Sequence, residues 1–118
     1  MTTATKQQKL EDIAHATDIL NSVADSVKSG NALLLVSVEY GKGLTDYLRA
    51  SIVTTRENGE ITNSQLTWAI AKKFGYSLRD RNGYYYLAIS GYGYSKADEI
   101  ARDLAKFFGV SRIRYEQN

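Results

Sequence analysis

The chain has 118 residues, of which 43% are hydrophobic and 24% charged, and its formal net charge is +2. These values predict one globular domain over residues 1–118. The absence of cysteine excludes disulfides and thiolate chemistry. The longest apolar run, Ala32 to Val36, is too short to cross a bilayer, and the polar segment Met1 to Lys9 lacks a signal core. We therefore expect a cytoplasmic protein with no membrane partner.

The first half of the chain predicts a helix followed by two strands. The segment 32–40 is a buried strand, and the alternating segment 47–56 is a second one. Gly41-Lys42-Gly43 lies between them, so a hairpin is the simplest connection. Apolar residues at alternating three- and four-residue steps predict an amphipathic helix that ends at Ser29-Gly30: Leu10, Ile13, Ala16, Leu20, Val23 and Val27.

The second half predicts two helices separated by a hairpin. Thr62 and Gln65 form a capping box for a helix that ends at Gly75. Strands over 76–80 and 84–90 flank the turn Arg81-Asn82-Gly83, whose Asn-Gly pair suits positive φ angles. Ser95 is the predicted N-cap of the last helix, with Asp98 in its first turn, and a short strand follows over 110–115. The predicted core face of that helix is Ala97, Ile100, Ala101, Leu104 and Phe108.

The element order is therefore α-β-β-α-β-β-α, with a short β-strand at the end. This order predicts an α+β fold, in which three helices cover a mostly antiparallel sheet of four or five strands.

Tyrosine is concentrated in the second half of the chain. Six of the nine tyrosines lie between Tyr76 and Tyr94. A core would sooner use Phe and Leu, because a buried tyrosine hydroxyl needs a partner. Residues 63–118 also carry nine basic and five acidic side chains, against six and eight in residues 1–62. The pattern favours an aromatic surface for an anionic partner, although a mixed solvated surface explains the charges equally well.

The junction before the last helix is the sharpest candidate for a binding site. A Gly-x-Gly turn lets the backbone approach a ligand, and free amides at a helix start attract anions. The dinucleotide-binding fingerprint is not met, because its third glycine would fall at Lys96. Many such junctions are simply tight turns. The candidate ligand-binding residues here are Gly91, Tyr92, Gly93, Tyr94, Ser95 and Lys96.

Two further residues complete the candidate ligand site. Trp68, the only tryptophan, either packs in the core or stacks on a base or a second subunit. Arg79 on the second hairpin either contacts an anion or is simply solvated. Enzymatic chemistry is not expected, because His15 is the only histidine and has no nucleophile context. We also predict no metal site and no cofactor.

Three segments resemble a family of small phage-encoded α+β proteins. They are a hairpin segment (Val36 to Thr45), a helix end (Ile70-Ala71-Lys72-Lys73-Phe74-Gly75-Tyr76) and a strand end (Ser90-Gly91-Tyr92-Gly93-Tyr94). The Thoeris anti-defence proteins look like members of this family; they are sponge proteins, which bind a cyclic ADP-ribose signal at sites between protomers without cleaving it. The resemblance implies that Trp68 stacks on adenine and that Tyr94 lies beside the phosphates. It also implies a homo-oligomer.

The leading hypothesis is a phage anti-defence protein that sequesters an anionic, cyclic nucleotide messenger in the host cytoplasm. One alternative is a small nucleic-acid-binding protein with aromatic residues on a sheet face; the acids of the last helix and the low net charge disfavour it. The other is an inhibitor that docks on a host defence protein through its tyrosines.

Overall fold

A computed structural model gives the fold and describes residues 6–29, 34–40, 48–54, 61–89 and 93–117. Helices and strands follow one another in these ranges in the predicted order, and the α+β class is confirmed. The elements are α1 (Lys6–Lys28), β1 (Leu34–Tyr40), β2 (Leu48–Thr54), α2 (Asn63–Phe74), β3 (Leu78–Arg81), β4 (Tyr84–Ile89), α3 (Gly93–Phe108) and β5 (Arg114–Gln117).

The described strands form a mixed sheet in the order β3-β4-β2-β1-β5. β1 and β2, β2 and β4, and β3 and β4 pair antiparallel. β5 pairs parallel to β1, so the sheet is mixed, which corrects the mostly antiparallel sheet that we expected. The reason is the crossover: α3 runs back over the sheet after β4, so β5 takes the direction of β4, which β1 shares.

The last strand also begins later than predicted. The predicted strand covered 110–115, whereas β5 starts at Arg114. Val110 instead takes part in the C-terminal cap of α3, because its N–H donates to the carbonyl of Ala105 at 3.0 Å and Gly109 has φ 69°. This left-handed glycine cap turns the chain before β5 starts.

The capping box of α2 is confirmed. The backbone N–H of Gln65 donates to Thr62 Oγ1 at 3.1 Å, and the N–H of Thr62 donates to Gln65 Oε1 at 2.8 Å. Gly75 ends the helix with φ 78°. The start and stop of α2 are thus set by residues next to it in the sequence.

α1 buries only part of the apolar stripe predicted for it. Leu10 is 60% exposed and Ile13 is 37% exposed, whereas the other four stripe residues are buried. Asp12 contacts Lys72 and His15 contacts Trp68, so α1 and α2 run antiparallel. α2 ends shortly after Lys72, and the first turns of α1 therefore extend beyond it. The buried stripe residues are Ala16, Leu20, Val23 and Val27.

The helices lie on one side of the sheet. α2 contacts β2 and β4, α3 contacts β1 and β5, and α1 packs on α2 with a smaller contact to α3. The predicted core face of α3 is confirmed, since Ala97, Ile100, Ala101, Leu104 and Phe108 are all buried. Within the described residues, no helix is both long enough and apolar enough to span a membrane.

Candidate functional site

A two-residue turn closes the β3–β4 hairpin. Asn82 has φ 54° and Gly83 has φ 86°, the positive angles that the Asn-Gly pair predicts. The N–H of Gly83 also donates to Asp80 Oδ1 at 3.0 Å. This turn fixes the register of the hairpin, in which Arg79 lies directly opposite Tyr86.

Strand alternation divides the side chains of the hairpin between the two sides of the sheet. Leu87 is fully buried and lies opposite Leu78, so both face the helices. Tyr84, Tyr86 and Arg79 occupy the alternate positions and face away from the helices. Tyr84 is 73% exposed, Arg79 is exposed and Tyr86 is half-buried. We call these last three residues the hairpin face.

The hairpin face combines aromatic rings with a positive charge. Directly opposed residues of an antiparallel pair have Cβ atoms about 5 Å apart, so Arg79 and Tyr86 are neighbours on this side of the hairpin. Among the side chains described on this face, none is a carboxylate. Exposed rings stack on flat ligands, and a guanidinium donates two parallel hydrogen bonds to phosphate oxygens. The face is therefore suited to a planar, anionic ligand.

A hydrogen bond joins the hairpin to α2: the N–H of Tyr85 donates to Ser64 Oγ, in the first turn of α2, at 3.0 Å. Within the hairpin, the N–H of Ala88 donates to the carbonyl of Ser77 at 3.1 Å. Ser37, on the same side of the sheet but in β1, is only 5% exposed. The tyrosines whose side chains are described on this side of the sheet, Tyr84 and Tyr86, lie in the hairpin.

Trp68 lies in the helical layer, away from the hairpin face. Its ring is half-buried, packs against the core and meets the ring of His15 edge-on, with centroids 5.5 Å apart. Lys72 Nζ and Asp12 Oδ2 lie 3.8 Å apart one turn further along the same helix contact. Trp68 and Arg79, both predicted ligand residues, are therefore not brought together within this chain.

The structure describes only part of the predicted Gly-x-Gly site. Gly91 and Tyr92 lie outside the described residues, and Gly93, Tyr94, Ser95 and Lys96 form the first turn of α3. The predicted N-cap at Ser95 is wrong, because Gly93 and Tyr94 already have helical conformation and the helix starts at Gly93 instead of Lys96. Consequently Asp98 lies in the second turn, where its Oδ2 is 2.8 Å from Nε of Arg102.

Tyr76, the first tyrosine of the cluster, has a structural role. Its hydroxyl donates to Asp103 Oδ2 in α3, and its ring lies 6.0 Å from that of Phe74. Burial, the hydrogen bond to Asp103 and the nearby negative charges of Asp103 and Glu99 raise the pKa of Tyr76 above its usual range. Tyr76 therefore joins α3 to the end of α2, a role that the sequence analysis missed because Asp103 is distant in the sequence.

Replacing Tyr76 by phenylalanine should lower the free energy of unfolding by about 1–2 kcal/mol at pH 7, because Asp103 loses its donor. The unfolded tyrosine loses its proton above a pH of about 10, while the folded one retains it. The advantage of the wild type over Tyr76→Phe should therefore shrink as the pH rises above about 10. Urea unfolding at pH 7 and pH 10.5 measures both effects. Tyr115→Phe is the control, and equal stability of wild type and Tyr76→Phe at pH 7 would contradict the prediction.

Within the described ranges, no group of three or more His, Cys, Asp or Glu side chains is arranged to hold a metal ion. His15 is exposed on α1 and contacts Trp68, an arrangement that offers no nucleophile to activate.

Comparison with known proteins gives no family to which the chain can be assigned. No protein-family model, curated protein or solved structure matches it with significant similarity.

Proposed function

We propose that this protein binds an anionic nucleotide without cleaving it, and that it acts as a phage anti-defence protein by sequestering a nucleotide messenger. The observation that carries the binding proposal is the hairpin face, where the exposed Tyr84 and the half-buried Tyr86 share one side of the hairpin with Arg79. The anti-defence role rests on the resemblance of three segments to the sponge proteins. The two arguments are independent of each other.

The proposal that the nucleotide is not cleaved rests on the acidic side chains near the predicted junction and the hairpin face. Cleaving a phosphodiester or glycosidic bond needs a positioned acid, base or metal. Asp98 is the acid nearest in sequence to the Gly91–Ser95 junction, and it is ion-paired to Arg102. The hairpin face has no described carboxylate. A bound nucleotide should therefore be released chemically intact.

A nucleotide panel tests the proposal by thermal stabilisation. Cyclic nucleotides, ADP-ribose derivatives and short oligonucleotides are each added, and a ligand at a hundredfold excess over its Kd should add about 2.7 kcal/mol to the free energy of unfolding. Tyr84→Ala should weaken binding of the stabilising ligand by about 1–3 kcal/mol, because one stacking ring is lost. The bound ligand is then recovered by heating and analysed by chromatography.

Tyr115→Ala provides the matched control, because Tyr115 is also exposed but lies at the other edge of the sheet. If no member of the panel stabilises the protein, the nucleotide proposal fails. Recovery of a cleaved product, lost in Asp98→Ala, would instead make the protein an enzyme.

A second candidate function is binding of single-stranded nucleic acid, and the placement of α3 favours it. From the sequence alone, the acidic residues of this helix disfavoured nucleic-acid binding. Asp98 and Asp103 lie in the helical layer, engaged by Arg102 and Tyr76, whereas the hairpin face is on the other side of the sheet. The objection from these acids therefore does not apply to the hairpin face. In the panel, preference for oligonucleotides over every small nucleotide would select this function.

A further inference from the structure

The spacing of Tyr84 and Tyr86 limits the size of the ligand. Alternate residues on one side of a strand are separated by roughly 6.7 Å. Successive stacked bases of one nucleic acid strand are only about 3.4 Å apart. A single base therefore covers one of the two rings, and two successive bases reach both rings when they are splayed apart, as single-stranded recognition allows.

The position of Arg79 fits the linkage between two such bases. Arg79 is directly opposite Tyr86 and is the diagonal neighbour of Tyr84. A phosphodiester that joins bases on the two rings lies within reach of its guanidinium. The neighbouring carboxylate of Asp80 accepts the N–H of Gly83 and belongs to the other side of the strand. The charge beside the two rings is thus positive.

We propose that the hairpin face binds two successive bases joined by a phosphodiester, one base on Tyr84 and the other on Tyr86, with the phosphate at Arg79. This inference rests on the proposed function and narrows its ligand. The ligand is an oligonucleotide, linear or cyclic, in preference to a mononucleotide or ADP-ribose.

Titration calorimetry with four defined probes tests the inference. They are AMP, ADP, linear 5′-phosphorylated diadenylate and cyclic diadenylate. ADP matches the charge of the linear diadenylate but has one base, so it separates the effect of charge from that of the second base. At least one diadenylate should bind roughly 5- to 150-fold more tightly than AMP and ADP, because it stacks on both rings. The preferred form, linear or cyclic, identifies the source of the ligand.

The variants locate the second base. Tyr84→Ala should remove the preference for diadenylate over AMP, because only the Tyr86 ring then remains for stacking. Tyr84 is 73% exposed, so this variant should fold, and a thermal melt verifies it. Arg79→Ala should weaken both diadenylates severalfold, and Arg112→Ala is its control because Arg112 is exposed in the loop before β5.

The outcomes separate this inference from the proposed function. Equal affinity for AMP, ADP and both diadenylates would overturn the two-base site while preserving nucleotide binding. Absence of binding by all four probes would overturn both. A loss of diadenylate affinity in Tyr115→Ala as large as that in Tyr84→Ala would overturn the location of the site.

Discussion

Phe108→Ala should lower the free energy of unfolding by about 4 kcal/mol. Phe108 is fully buried at the end of α3 and is one of the largest such side chains in the core. Its ring meets that of Phe107 edge-on, with centroids 5.2 Å apart. Removing the ring leaves a cavity between α3 and the sheet, and a domain of this size has only about 5–15 kcal/mol of stability in total. At about 4 °C per kcal/mol, the melting temperature should fall by roughly 15 °C.

Phe107→Ala is the matched control for this prediction. Phe107 is the adjacent residue, but it is only half-buried and lies against Phe74 and Lys73. Its removal should cost about 1–2 kcal/mol, in proportion to the smaller area that it buries. Urea denaturation of both variants gives the comparison. If Phe107→Ala proved the more destabilising change, the orientation of α3 on the sheet would be incorrect.

Trp68→Ala should lower the free energy of unfolding by about 3 kcal/mol. The indole packs against the core and against His15, where α1 crosses α2. The same change should leave nucleotide affinity unchanged in the folded variant, because Trp68 lies in the helical layer and Tyr84 and Tyr86 face away from it. The resemblance to the sponge proteins implies the opposite, a loss of adenine stacking at Trp68. Thermal melts and calorimetry on the same samples separate the two effects.

His15→Ala serves as the control for Trp68. His15 is exposed, so its removal should cost about 1 kcal/mol or less, the value of one edge-on ring contact. An unchanged melting temperature with a fivefold or greater loss of affinity in Trp68→Ala would show that Trp68 contacts the ligand. The ligand would then bind on the helical side, and the hairpin face would lose its proposed role.

The sequence indicates which types of residue form the candidate site, but not which side of the sheet they occupy. A cluster of tyrosines beside basic residues indicates a surface for an anionic partner, and that indication remains a prediction. Sequence alone could not separate Tyr84 and Tyr86 from Tyr85, because a one-residue change of register exchanges the two sides of a strand. The buried position of Leu87 fixes which side is which. The structural role of Tyr76 could not be predicted from the sequence either, since its partner Asp103 lies 27 residues away.

Local signals account for what the sequence determined by itself. The capping box at Thr62, the left-handed glycine at Gly75 and the Asn82-Gly83 turn all arise from dihedral preferences and hydrogen bonds within a few residues. The tertiary structure alone decided the parallel pairing of β5, the exposure of Leu10 and the side of the sheet that carries the tyrosines. Each of these depends on contacts between segments distant in the sequence. Such contacts form only when the helices pack on the sheet, so no local sequence pattern predicts them.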